Sequence, residues 1–233
     1  MKQKGNCEGT EQLRRKNGDP MINTLDYYNK NANQFVQGTV SIDFSDTQDR
    51  FLRRLSANAC ILDFGCGSGR DTKYFMEKGY VVNAIDGSEE LCKIASAYTG
   101  IEVKRMLFSE LDEHEKYDGI WACSSILHLT RSELSSVLQK MAAALKPGGI
   151  VYTSFKYGEF EGVRNGRYFT DFMSETFTDF MKDMDMLQIE ESWITRDARP
   201  GREDEKWLNL IMRKTDSHRN IDAVQESAAP VSS

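Results

Sequence analysis

Through the middle of the chain, short apolar runs alternate with longer stretches of helical periodicity. The runs at 59–64, 80–85, 101–106, 117–123 and 150–155 lack the polar alternation of a half-exposed strand, so each is expected to be buried on both faces. The segments 71–78 and 88–98 have the length of crossover helices. A further helix is expected from Thr130, where Thr130 and Glu133 form a capping box. Leu134, Val137, Leu138, Met141 and Leu145 give it one buried stripe, and Lys146-Pro147-Gly148-Gly149 is expected to stop it. Strand, helix, strand in this order is the pattern of a parallel α/β sheet.

The last third changes character. A helix over 174–185 leads to apolar runs at 187–194 and 207–212, joined by a turn containing Arg199-Pro200-Gly201-Arg202 and expected to pair antiparallel. No internal repeat or linker interrupts the body, so one domain is expected over 21–213. The ends, 1–20 and 214–233, carry too little apolar surface to pack and are expected to be loose tails.

Composition narrows the partners. With 30 Lys and Arg against 36 Asp and Glu, a net charge of -6, the chain lacks the broad basic surface that grips nucleic acid. No apolar run approaches the length of a membrane span, and the charged start does not resemble a secretory leader. The five cysteines form no Cys-x-x-Cys pair, which points to reduced thiols and a cytoplasmic location. With only three histidines beside them, no metal site is expected.

The chemistry concentrates where the first strand meets its helix, in Asp63-Phe64-Gly65-Cys66-Gly67-Ser68-Gly69-Arg70. Glycines there let the backbone turn tightly and approach a ligand. A dinucleotide fingerprint would need a third glycine at Arg70 or Thr72, and a P-loop would need Gly-Lys-Ser or Gly-Lys-Thr, so neither fits. Asp63, in an apolar strand, needs either the amides of the loop or a cationic ligand. Asp86, at the tip of the second strand, is placed to accept hydrogen bonds from a ribose diol. Together they describe a ligand with a ribose, a positive charge and no phosphates.

Four ordered motifs, 62–71, 85–88, 117–121 and 145–149, resemble those of class I S-adenosylmethionine-dependent methyltransferases, particularly the small-molecule branch. The resemblance spans roughly 24–213. It implies a single doubly wound, mostly parallel seven-stranded sheet with a C-terminal antiparallel hairpin, the Rossmann-like methyltransferase fold. It implies S-adenosyl-L-methionine as methyl donor, S-adenosyl-L-homocysteine as product, and a small-molecule acceptor, with nucleic acid and protein acceptors or a non-catalytic binding module as rivals. Against a base-amino nucleic-acid enzyme, Cys123-Ser124-Ser125-Ile126 stands where an Asp/Asn-Pro-Pro-aromatic loop would be.

Residue by residue, the resemblance assigns Asp63, Gly65 and Gly67 to the aminoacyl end and Asp86 to the ribose. Gly87, Ser88, Leu107 and Phe108 fall at the adenine, the last two where many relatives carry an acid. Tyr28, on a helix resembling one that closes over the cofactor, could reach the methionine carboxylate, although ordinary packing also explains a tyrosine there. Arg70 is either a pocket residue or a solvated helix start. Cys66 and Cys123 are small residues beside the cofactor. His128, after the fourth strand, is a candidate general base or a binding residue. Arg164, Arg167 and Tyr168 lie in a segment where related enzymes build a substrate lid, and the two arginines could select an anionic acceptor.

Overall fold

The computed structural model describes residues 20–215. Seven strands form one sheet: β1 (Cys60–Phe64), β2 (Val81–Asp86), β3 (Val103–Arg105), β4 (Tyr117–Ala122), β5 (Leu145–Lys156), β8 (Leu187–Arg196) and β9 (Lys206–Lys214). Their order is β3-β2-β1-β4-β5-β9-β8. The pairs among β1 to β5 are parallel, and β9 lies antiparallel between β5 and β8, which is the expected terminal hairpin.

Burial on both faces explains the unbroken apolar runs. Along β1, Leu62 and Phe64 enter one core and Ile61 enters the other; in β4, Ile120 and Trp121 divide the same way, as do Val151 and Tyr152 in β5. On one side α5 (Arg131–Ala144) packs its stripe of Leu134, Val137, Leu138 and Met141. Its capping box closes as expected: the Glu133 amide donates to Thr130 Oγ1, and the Thr130 amide donates to the Glu133 carboxylate. On the other side Phe51, Phe75, Trp121 and Tyr152 form an aromatic stack.

Several boundaries differ from the sequence reading. The helix α1 (Pro20–Gln37) begins inside the expected tail, and β9 runs to Lys214; the rest of both expected tails lies outside the described residues. The Lys146-Pro147-Gly148-Gly149 segment ends α5, yet it already belongs to β5, because Leu145 pairs with Tyr117 before a register shift. The helix α6 (Ser174–Met181) stops short of 185.

Two elements had not been expected. One is α2 (Ser45–Leu52), which supplies Phe51 to the stack. The other is a two-stranded ribbon, β6 (Glu161–Arg164) and β7 (Arg167–Thr170), in the segment expected to form a lid. Its turn residues, Asn165 and Gly166, have φ of 53° and 76°, the paired positive angles of a two-residue hairpin turn. The crossover helices α3 (Arg70–Glu77) and α4 (Glu89–Thr99) follow β1 and β2.

In this order β1 and β4 are neighbours at the point where successive connections reverse direction. Doubly wound sheets open a crevice there, beyond the carboxyl ends of their strands.

Candidate active site

A cavity of about 210 Å³ occupies that crevice. Its floor is the loop after β1, with Gly65, Cys66, Gly67, Ser68, Arg70 and Asp71 on its wall. The loop is held from below: the Gly65 and Cys66 amides both donate to the Ile85 carbonyl at 2.9 Å. Asp86 lies on the wall and braces the loop as well, its carboxylate accepting from the Gly67 amide at 2.9 Å and the Ser88 amide at 2.8 Å. Burial raises the Asp86 pKa, opposed by those amides. Gly87, Met106, Leu107 and Phe108, with Leu25 and Leu91, make an apolar slot beside it.

Asp63 and Ser88 do not line the cavity. Asp63 is buried behind the loop, where Thr72 Oγ1 donates to it at 2.6 Å. Burial, reinforced by the charge of Asp71, pushes its carboxyl far above the usual carboxylate range. Ser88 caps α4, accepting from the Leu91 amide, and its hydroxyl donates to Asn29 of α1. Arg70 does reach the wall, but its guanidinium is committed to both oxygens of Asp71 and lies 4.8 Å over Phe44. Asp71 also accepts from Gln48 and from the Trp121 indole, so a side chain that sequence reading left at a helix start ties α2, α3 and β4 together. Cys66 and Cys123 are both on the wall.

The helix α1 forms one side of the cavity through Thr24, Leu25, Tyr28 and Phe35. It is fastened at the centre by Tyr28 and His128. A carbonyl only accepts, so His128 Nδ1 carries the proton and donates to the Tyr168 carbonyl at 2.6 Å. Nε2 is then the acceptor for the Tyr28 hydroxyl at 2.8 Å. Burial, which disfavours the imidazolium, brings the His128 pKa down to about 4, despite the Tyr168 carbonyl and aided by the nearby charge of Arg167. His128 is therefore neutral at physiological pH, with both ring nitrogens occupied.

This pKa carries a sign. The unfolded imidazole takes up a proton near pH 6.5 and the folded one near 4, so its contribution to stability is complete above 6.5 and is lost as pH falls toward 4. The wild type is expected to lose about 3 kcal/mol over that window from this residue. His128→Ala leaves the Tyr28 hydroxyl proton without its acceptor and the Tyr168 carbonyl without its donor from the ring, costing about 2 kcal/mol at pH 7.5, and removes this residue's share of the acid-side slope. Denaturant midpoints at pH 4.5 and 7.5 check both effects; an equal slope in the variant refutes them.

The three residues expected to meet the acceptor separate. Arg167 is on the wall. Arg164 is not: it pairs with Asp171 at 2.8 Å and stacks over Phe160 and Phe169. Tyr168 donates its hydroxyl to Glu161 and contributes through its backbone, its amide donating to Thr24 Oγ1 and its carbonyl accepting from His128. Sequence reading missed the far end of the cavity, made by Ser154 and Lys156 of β5, Asn209 and Trp207 of β9, and Arg196, Asp197, Arg199 and Arg202 around the β8–β9 connection. The only signal for it was the density of charge between 196 and 206.

A strand-ordered Rossmann-like sheet with a glycine loop and a following acid on one crevice is the architecture of class I methyltransferases. Comparison supports it: residues 61–149 match the family described as "Methyltransferase domain". The fold is thus that of the class I methyltransferases, and residues 61–149 carry the match to the methyltransferase domain. Among curated relatives, N-terminal Xaa-Pro-Lys N-methyltransferase 1-B of Xenopus laevis is 37% identical over 113 residues, covering 44% of this chain and 51% of that protein. Ubiquinone biosynthesis O-methyltransferase of Rhodopseudomonas palustris is 29% identical over 112 residues, covering 44% of each. The chain spans about half the length of the curated relatives it matches. Among solved structures, 1,6-didemethyltoxoflavin-N1-methyltransferase of Burkholderia thailandensis, with bound 1,6-didemethyltoxoflavin and S-adenosylhomocysteine, superposes with a TM-score of 0.66 over 93% of both chains at 21% identity. That likeness is one of fold.

Proposed function

We propose that the protein binds S-adenosylmethionine in this cavity and transfers its methyl group to a small-molecule acceptor. The observation that carries the reading is the Asp86 carboxylate, fixed by two backbone amides on the cavity wall between the glycine loop and an apolar slot. Those neighbours suit a ribose diol, the methionine end and an adenine respectively. The cofactor, when bound, supplies a methyl group on a cationic sulfur whose thioether is a good leaving group.

The protein's part is binding, orientation and water exclusion. Asp86 would accept from the ribose hydroxyls, while Leu107 and Phe108 enclose the base. Asp63, behind the loop, would supply negative charge toward the aminoacyl end. Tyr28 and His128 hold α1 against β7 and so keep that wall closed. Because His128 is neutral and doubly engaged, it is a weak candidate for taking a proton, and the acceptor is better served by an atom that arrives as a free nucleophile.

A protein acceptor is the second reading, favoured by the Xenopus relative's identity. The far end of the cavity opposes a cationic chain terminus, since Lys156, Arg167, Arg196, Arg199 and Arg202 all face it. The test is to incubate the protein with methyl-labelled S-adenosylmethionine and fractionated cell extract. Label is expected among small metabolites; label confined to protein or RNA, or no transfer at all, rejects the small-molecule reading.

A further inference from the structure

The cavity's far end has a charge balance opposite to that of the chain. Overall the protein carries a net charge of -6. Here five cationic side chains, Lys156, Arg167, Arg196, Arg199 and Arg202, meet three carboxylates, Asp197, Glu205 and the exposed Glu203 near Arg196. The first two are already spoken for. Asp197 accepts from Lys156 at 3.4 Å and from Arg199 at 2.5 Å, while Glu205 takes Lys156 and lies 3.6 Å from Arg202. Their pairings leave positive charge in excess on this part of the wall.

Arg167 is the member of this set without a countercharge of its own. No carboxylate pairs with it among the described residues. Its guanidinium lies against aromatic rings, 4.5 Å over Tyr27 and 5.1 Å from Phe169, and Nη1 makes a long 3.4 Å hydrogen bond to the Tyr28 hydroxyl. Nε is buried and has no hydrogen-bond partner among the described residues. Buried donors are almost always satisfied, so this guanidinium stands on the cavity wall with neither a countercharge nor a full set of partners among the described residues. The rings fix the plane of the guanidinium, and a fixed guanidinium fork matches the two oxygens of a carboxylate or phosphate. The turn between β6 and β7 makes this placement: Asn165-Gly166 reverses the chain directly before Arg167, and Gly166 lies against Tyr27.

Resting on the methyl-transfer reading, we propose that the acceptor is a small oxyanion, carrying a carboxylate or phosphate, and that Arg167 is the residue that selects it. The cationic β8–β9 connection, around Arg199 and Arg202, lines the same cavity and supports it. A neutral acceptor would leave the guanidinium and the excess charge unanswered, and a cationic one would be repelled. The specificity residue and the fastening of α1 are thus side by side, because Arg167 also donates to the tyrosine that His128 holds.

The experiment uses the full chain saturated with S-adenosylhomocysteine, which binds without turning over. Calorimetric titrations compare benzoate and phenyl phosphate with benzamide, the uncharged counterpart of benzoate. At least one of the two anions is expected to bind about tenfold or more tightly than benzamide, and to lose most of that preference in high salt. Arg167→Gln is expected to bring the preference below about threefold while S-adenosylhomocysteine still binds, and Arg167→Lys to keep part of it. Absence of any anion preference in the wild type, or a preference that survives in Arg167→Gln, overturns the proposal while leaving the cofactor reading in place. Failure of S-adenosylhomocysteine to bind the wild type overturns the cofactor reading itself. Should Arg167→Gln fail to fold, Arg167→Lys decides: an unchanged preference for the anion together with an unchanged salt dependence overturns the assignment of the planar fork.

Discussion

Asp63→Asn is expected to give a protein that melts at a higher temperature at pH 8 yet binds S-adenosylhomocysteine about tenfold or more weakly. The carboxyl is buried beside Asp71, and its pKa is raised by burial first and by that neighbour second. In the unfolded chain it ionises near the ordinary value of about 3.9. The folded protein therefore holds a proton that the unfolded chain releases, and its stability falls as pH rises through the interval between the two pKa values. An asparagine keeps the volume and still accepts from Thr72, but removes that penalty. A gain of about 2 kcal/mol at pH 8 corresponds to roughly 4–8 °C for a chain of this size.

The same proton makes cofactor affinity depend on pH. A ligand with a positive aminoacyl end favours the ionised carboxyl, so binding below its pKa must expel a proton. Affinity is expected to rise with pH between 6 and 9 in the wild type and to be flat in Asp63→Asn. Titrations across that range, with melting curves at each pH, check both halves. A wild-type affinity that does not change with pH, or a variant that binds as well as the wild type, removes Asp63 from the cofactor site. Retention of a destabilising buried acid is explained if it serves binding, the usual trade between stability and function.

What could be read from the sequence follows from which features are local. The doubly buried strands announce themselves as unbroken apolar runs, and the glycine-loop end of the cavity is built from residues within a few positions of β1 and β2. Asp86 and the glycine loop are therefore visible as spacing. The far end of the cavity is assembled from α1, the β6–β7 ribbon and the β8–β9 connection, the first of them more than a hundred residues from the other two, and no periodicity links Tyr28 to Arg167 or to His128. Arg164 and Arg167 look equivalent in sequence. Only the register of the ribbon, which pairs them across its turn, and the position of Asp171 decide that the first is neutralised and the second faces the cavity. The ribbon itself had a legible signal, Asn165-Gly166, a strong two-residue turn pair that the density of aromatic residues around it obscured. Nor did spacing show that Asp63 lies behind the loop, because a carboxylate at a strand tip can face either way.

Gly65→Ala is expected to be the most damaging single methyl addition in the glycine loop, and Gly79→Ala separates its causes. Both glycines have nearly the same left-handed backbone, φ of 88° and 87°. A side chain at either position costs about 1–2 kcal/mol in strain. They differ in surroundings. A Cβ on Gly79 would meet nothing within 4 Å, whereas one on Gly65 would lie 2.6 Å from Cβ of Ser125 and 3.1 Å from the Phe108 ring. Ser125 cannot simply retreat, because its hydroxyl donates to the Phe64 carbonyl at 2.6 Å and ties the end of β4 to the end of β1. Relieving the clash means shifting that tie or the Phe108 ring on the cavity wall, adding about 1–3 kcal/mol. Gly65→Ala is therefore expected to lower the melting temperature by roughly 10 °C and to abolish measurable S-adenosylhomocysteine binding, while Gly79→Ala lowers it by only a few degrees and binds normally. Equal losses in the two variants would mean that backbone strain alone sets the requirement for glycine at position 65, and that the contact between the ends of β1 and β4 does not hold the cavity in shape.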